Sequence, residues 1–285
     1  MIYQFKSIAV AIDFSNCSLR ALDVAAAQAK RLGAQLHLLY VLDCYTYNSS
    51  EEITKEKLSQ TTSVLRDAVL HRFDLVPVVV ELAGSSCEAI TEWCRRNPCD
   101  LLVVGTHGWS GSREYHIGTT AYSITKFSSC PVLLIPASVS SGEFRKALFA
   151  LRPAAGMMNL VKLTRLLLAD NASVEIQPHQ YRMQGYSKNI CRMIEETGDK
   201  PDGIEIEWTA RWGSGEAIAQ ETVSASRCIK ADLLVLTPSL GRMSRIGFVD
   251  SEVQQILNTA DVPILYLMNC QLFSTERKRE NLSAF

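Results

Sequence analysis

The fold of this chain turns on residues 100–136, DLLVVGTHGWSGSREYHIGTTAYSITKFSSCPVLLIP. The stretch opens on an apolar run, Leu101 to Val104, and closes on another, Val132 to Ile135. Between them stand Gly105, Gly108 and Gly118, followed by a helix-like segment. Two short apolar runs around a glycine-broken loop and a helix predict a strand–loop–helix–strand crossover in a parallel sheet. Open α/β sheets bind ligands in such loops, at the carboxyl ends of their strands.

Working back from this stretch, the same alternation continues. Ile8 to Ile12 is nearly all apolar, as expected of a strand buried on both faces. Ser15 or Asn16 is placed to cap the next helix, whose apolar positions include Leu19, Leu22, Ala25, Ala26 and Ala29. Gly33 is placed to end it. Leu36 to Leu42 predicts a second strand. Glu51 to Phe73 predicts a helix burying Leu58, Val64, Leu65 and Val69. Val76 to Leu82 predicts a third strand, and Cys87 to Arg96 a short helix. The first half therefore reads β-α-β-α-β-α-β-α-β, the pattern of a doubly wound parallel sheet with helices on both faces.

Beyond Ile135 the pattern restarts. Phe144 to Leu151 resembles Phe5 to Ile12, and Val174 to Ile176 and Ile204 to Thr209 predict two further strands. Gly213-Ser-Gly-Glu-Ala-Ile218 echoes Gly84 to Ile90. Ala231 to Thr237 echoes Cys99 to Gly105, and Val262 to Leu265 echoes Cys130 to Leu133. The last two echoes are both displaced by 132 residues (237 − 105 and 263 − 131). An internal duplication follows, in which both copies share a fold. The expected organisation is a first domain over 1–137, a linker over 138–143, a second domain over 144–270 and a polar tail over 271–285.

The glycines of the first crossover have chemical uses. Gly105 sits past the strand, where a sharp turn favours positive φ. Gly108 lacks a Cβ, so backbone there can approach a bound group. Gly118 and Thr119 stand where the helix starts, and its unpaired N–H groups and dipole favour an anion. Thr119 and Thr120 add hydroxyls. Glycines in such loops also serve as turn punctuation alone, so spacing by itself leaves both readings open. Neither GxxxxGK[ST] nor a post-strand GxGxxG is present.

The run Gly105-x2-Gly108-x9-Gly118-Thr119, the upstream DLLVVGTHG and the closing CPVLLIP resemble the universal stress protein family. In that family G-x2-G-x9-G-[ST] marks members that bind ATP. The resemblance covers the first half fully and the second more weakly. It implies two tandem α/β domains, each a five-stranded parallel sheet of order 3-2-1-4-5. It also implies an adenine nucleotide, ATP or AMP with or without magnesium, held by Ile12, Asp13, Val41, Gly105, Thr106, His107, Gly108, Gly118, Thr119 and Thr120. Asp13 matches a nucleotide-contacting position, and Val41 one that holds adenine through its backbone. Trp109 departs from the family, where many relatives carry a basic residue. His107 is able to hydrogen-bond a phosphate, and His116 is the weaker candidate.

The second half has lost this pattern. The displacement puts Thr237, Leu240 and Asp250 opposite Gly105, Gly108 and Gly118, and only Ser251 survives, opposite Thr119. Asp13 becomes Arg152, and Val41 falls near His179. A leucine blocks close approach and an aspartate repels phosphate. Arg242 and Arg245 read as a solvated basic loop. The second half is therefore expected to be a structural partner that pairs with the first through the last strands of each, and a homodimer of tandem chains is left open.

No GxSxG, HExxH or metal-ligand spacing points to catalysis, so the chain reads as a regulatory nucleotide binder with at most slow ATP hydrolysis. The alternatives are an ATP-using α-hydrolase-type enzyme and a partner protein that binds no nucleotide. With 47% hydrophobic and 21% charged residues and a net charge of -1, nothing favours nucleic acid or a membrane surface. The N-terminus reads as a strand, so a cytoplasmic protein is expected. Nine cysteines show no CxxC pair or zinc-type spacing and read as reduced core thiols, Cys130 among them, with no metal site expected.

Overall fold

The computed structural model describes residues 4–42, 51–107, 117–139, 141–151, 163–178, 218–236, 249 and 251–266. The first half follows the expected alternation: β1 (Ser7–Ile12), α1 (Asn16–Leu32), β2 (Gln35–Leu42), α2 (Glu51–Phe73), β3 (Val78–Ala83), α3 (Ser86–Arg96), β4 (Leu101–Gly105), α4 (Thr119–Phe127) and β5 (Val132–Ile135). All its strand pairs are parallel, in the order β3-β2-β1-β4-β5.

Local chemistry sets these bounds. Ser15 is the N-cap of α1, and its hydroxyl accepts from the Ser18 N–H. Gly33 ends α1 in the left-handed region at φ 64°, where a side chain is strained. On β1, Ile8, Val10 and Ile12 face α1 and α2, while Ala9 joins α3 and α4 on the opposite face. In α2, Val69 is buried and Leu65 packs beside it, but Val64 is 65% exposed. The helical stripe thus runs through Leu65 and Val69, four residues apart, and leaves Val64 outside.

The second half supplies β6 (Phe144–Leu151), β7 (Leu168–Pro178), α5 (Ile218–Cys228), β8 (Leu233–Leu236), α6 (Ser251–Thr259) and β9 (Ile264–Tyr266). β7 is longer than the predicted Val174–Ile176 and shifts register near Phe144 and Lys146. β6 pairs parallel with β7 and β8, and β8 with β9. β5 and β9 pair antiparallel, Val132 to Tyr266, Leu133 to Leu265 and Leu134 to Ile264. One nine-stranded sheet results. The strand expected at 204–209 lies outside the described residues, as do Arg152, His179, Thr237, Leu240, Arg242, Arg245, Asp250 and the tail.

The stretch expected as a linker is packed down. The Gln28 side chain, 1% exposed, donates to the Gly142 carbonyl at 2.6 Å and to Leu167 O at 3.1 Å. A Cβ on Gly142 would stand 2.8 Å from the Ala27 Cβ. Small size at 142 therefore lets the connection lie against α1. Among the described residues no helix is long and apolar enough to cross a membrane.

Candidate functional site

A cavity of about 390 Å³ opens at the carboxyl ends of β1, β2 and β4. This is the switch point of the 3-2-1-4-5 order, where the strands on either side of β1 carry their crossovers to opposite faces. Ile12 and Asp13 line it from the end of β1, Val41 from β2, and Gly105 and His107 from β4 and its loop. Gly118, Thr119 and Thr120 line it from the start of α4. Gly108, Trp109 and His116 lie outside the described residues.

The start of α4 is the anion-friendly wall. Gly118 is its N-cap, with φ -61° and ψ 145° and no side chain capping the helix. The Gly118 N–H donates to Thr106 O at 2.7 Å, and Gly118 O accepts from Tyr122 N at 2.9 Å. Helix geometry leaves the N–H groups of Thr119, Thr120 and Ala121 without intrahelical acceptors, and all three residues line the cavity.

Two neighbours act differently from expectation. Among the described residues the left-handed glycines are Gly33 and Gly84, and Gly105 does not join them. A Cβ on Gly105 would instead stand 2.7 Å from the Cys17 carbonyl carbon and 2.9 Å from Ser18 N. Gly105 is small so that α1 can start against β4. The residue with positive φ here is Phe14, at 62°, whose ring packs tilted against that of Tyr40, with centroids 5.3 Å apart. Thr106 is 4% exposed and sits behind the wall. Its hydroxyl bonds the His107 Nδ1 at 2.9 Å, which fixes the ring. The other ring nitrogen, Nε2, is buried without a hydrogen-bond partner among the described residues. Such a group costs free energy unless something meets it.

Asp13 uses Oδ1 to accept the Ser15 N–H at 3.0 Å, and its own N–H donates to Ser18 Oγ at 3.4 Å. This local turn holds the carboxylate at the mouth. The wall from β2 and α3 is mainly apolar, with Val41 and Ile90, and Tyr40 and Ser86 also line the cavity. Burial, reinforced by Glu81, pushes the Tyr40 phenol above its ordinary pKa, so it stays a neutral hydroxyl. Tyr40, Ser86 and Ile90 were not singled out in the sequence. Their signal is position alone, since Tyr40 precedes Val41 and Ser86 starts α3.

At the other end of the sheet the structure gathers what spacing kept apart. The sulfurs of Cys94, Cys99 and Cys130 all lie within 4.8 Å of one another. Cys99 and Cys130 each stand two residues before a strand, and those strands are neighbours. Topology, and not a CxxC run, was the available signal.

Residues 4–136 match the model of the Universal stress protein family. A universal stress protein of Thermus aquaticus is 30% identical over 135 residues, 46% of this chain and 98% of that protein. The chain belongs to the universal stress protein family. A Bacillus subtilis universal stress protein is 27% identical over 146 residues, again 46% of this chain and 99% of its own length. These two relatives each account for less than half of this sequence. The crystal structure of a universal stress protein from Archaeoglobus fulgidus matches 94% of this chain and all of its own, with a TM-score of 0.68 at 13% identity. That likeness extends the shared fold through the second half.

Proposed function

We propose that this universal stress protein binds one adenine nucleotide, ATP or AMP, in the first-half cavity, and that occupancy sets its regulatory state. The observation that carries the reading is an uncapped helix start, at Gly118, facing an apolar wall across one cavity. Phosphate suits the first, because N–H groups and the helix dipole converge there. A purine suits the second, with Val41 backbone at its edge. His107 Nε2, buried and without a partner among the described residues, supplies a donor or acceptor between them. The second half acts as a brace: Asn258 of α6 accepts the Ile117 N–H at 3.1 Å, one residue before the N-cap.

Gly118→Asp is the decisive variant. Aspartate is a favoured N-cap, so α4 and the fold persist. Its carboxylate occupies the phosphate end and repels the ligand. Mass spectrometry of nucleotide retained by the purified chain, with equilibrium dialysis, is expected to give one nucleotide per wild-type chain and at least about 100-fold weaker binding in Gly118→Asp. Two nucleotides per chain would contradict a single site. Unchanged binding in a folded Gly118→Asp protein would remove the proposal.

A further inference from the structure

The cysteines at the amino-terminal end of the sheet carry an inference that does not rest on the nucleotide reading. Cys94 lies in the last turn of α3, Cys99 precedes β4, and Cys130 precedes β5. β4 and β5 are parallel neighbours, so Cys99 and Cys130 come side by side, and α3 runs back to deliver Cys94 to the same end. The Cys130 and Cys99 sulfurs are 3.6 Å apart. Cys94 and Cys130 are only 5% and 6% exposed. A tetrahedral ion with metal–sulfur bonds of about 2.3 Å spaces its sulfurs by about 3.8 Å. Folding alone brings these thiols close to that spacing.

We propose that Cys94, Cys99 and Cys130 form a three-thiolate site for a thiophilic d10 cation, copper(I) or zinc(II). Packing does not explain sulfur at two of the three positions. Their counterparts in the second half are Ala231 and Val262, each two residues before β8 or β9. Both pack into the same apolar cluster as the cysteines. The fold thus fills these turns with hydrocarbon in one half and with thiols in the other. Ser128 steadies the third ligand: its hydroxyl donates to Cys130 O at 2.9 Å and lies 3.4 Å from the sulfur. Each sulfur gives up its proton to solvent as its metal bond forms, with no change of oxidation state. No fourth His, Cys, Asp or Glu ligand joins them among the described residues. Three sulfurs, two of them on buried residues and the third on the half-buried Cys99, favour copper(I), whereas zinc(II) takes four ligands and needs water for the last.

The full chain, reduced and metal-free, is titrated with copper(I) against a colorimetric chelator, and separately with cobalt(II) as the spectroscopic substitute for zinc(II). One equivalent is expected to bind, with sulfur-to-metal charge-transfer absorption in the cobalt arm. C99A/C130V copies the second half's residues and so keeps the fold, and it is expected to bind that equivalent more than about 100-fold more weakly. Cys87→Ser and Cys228→Ser, outside the cluster, are expected to retain it. If C99A/C130V does not fold by circular dichroism, Cys94→Ser decides on the same readout. Failure of the reduced wild type to take up either metal overturns the proposal. So does undiminished binding in the folded variant. A disulfide within the cluster without metal uptake would mark a redox pair instead. Nucleotide binding, at the other end of the strands, is expected to be unchanged in these variants, which separates failure of this site from failure of the nucleotide reading.

Discussion

At the scale of single residues, two aspartates show what the duplication preserved. Asp100 Oδ2 accepts the backbone N–H groups of Lys6 at 2.8 Å and Ser7 at 3.0 Å. Asp232, its counterpart, accepts those of Arg145 at 2.7 Å and Lys146 at 2.9 Å. In each half the turn before the strand that pairs with the first, β4 on β1 and β8 on β6, fastens the entry of that first strand. Asp100→Ala leaves two N–H groups without their charged acceptor and is expected to cost about 2 kcal/mol, read by denaturant unfolding. Asp100→Asn keeps an acceptor and is expected to cost less. A loss below about 0.5 kcal/mol in Asp100→Ala would show that water replaces the clamp. The repeated DLLVV and DLLVL made the duplication legible, yet not this task, because the partners are backbone donors that no side-chain pattern reveals.

At the scale of elements, the glycine-broken crossover divides into two kinds of glycine. Gly118 opens α4 onto the cavity, as its place before a helix suggested. Gly105 serves the contact between β4 and α1, which a local reading of turns cannot see, since Cys17 and Ser18 are almost ninety residues away. Gly105→Ala is therefore expected to displace the first turn of α1 and lower stability by about 1–3 kcal/mol. Because Asp13, Ser15 and Ser18 share that turn, nucleotide affinity is expected to fall with it. Thermal unfolding of the apo protein makes the distinction: an unchanged midpoint with weakened binding would return Gly105 to the ligand-holding role that the family resemblance implied. Strands and helices were legible here because hydrophobic period follows burial. Tyr40 and Ser86 were not, because a cavity wall is set by which strand ends meet, and strand order enters only through tertiary pairing.

At the scale of the molecule, the two halves share one sheet and one pair of cores. Leu133 and Leu265 face each other across the β5–β9 seam, both fully buried. The apolar cluster on one face holds Ile8 and Val10 with Phe149 and Leu233, and the cluster on the other holds Leu102 and Ile124 with Leu148 and Ile256. Gln28 adds a polar tie, one side chain joining α1 to the carbonyls of Gly142 and Leu167. Neither half covers its own seam, so separating them exposes leucines and orphans the edges of β5 and β9. The chain is expected to unfold in one calorimetric transition, with the calorimetric and van't Hoff enthalpies equal. Leu265→Asp places a charge inside the seam and is expected to lower the whole transition by more than about 3 kcal/mol, including the unfolding followed at the first-half cavity. Two resolved transitions in the wild type, or a first half whose unfolding ignores Leu265→Asp, would mean that the halves fold independently and that the second lends the first no stability.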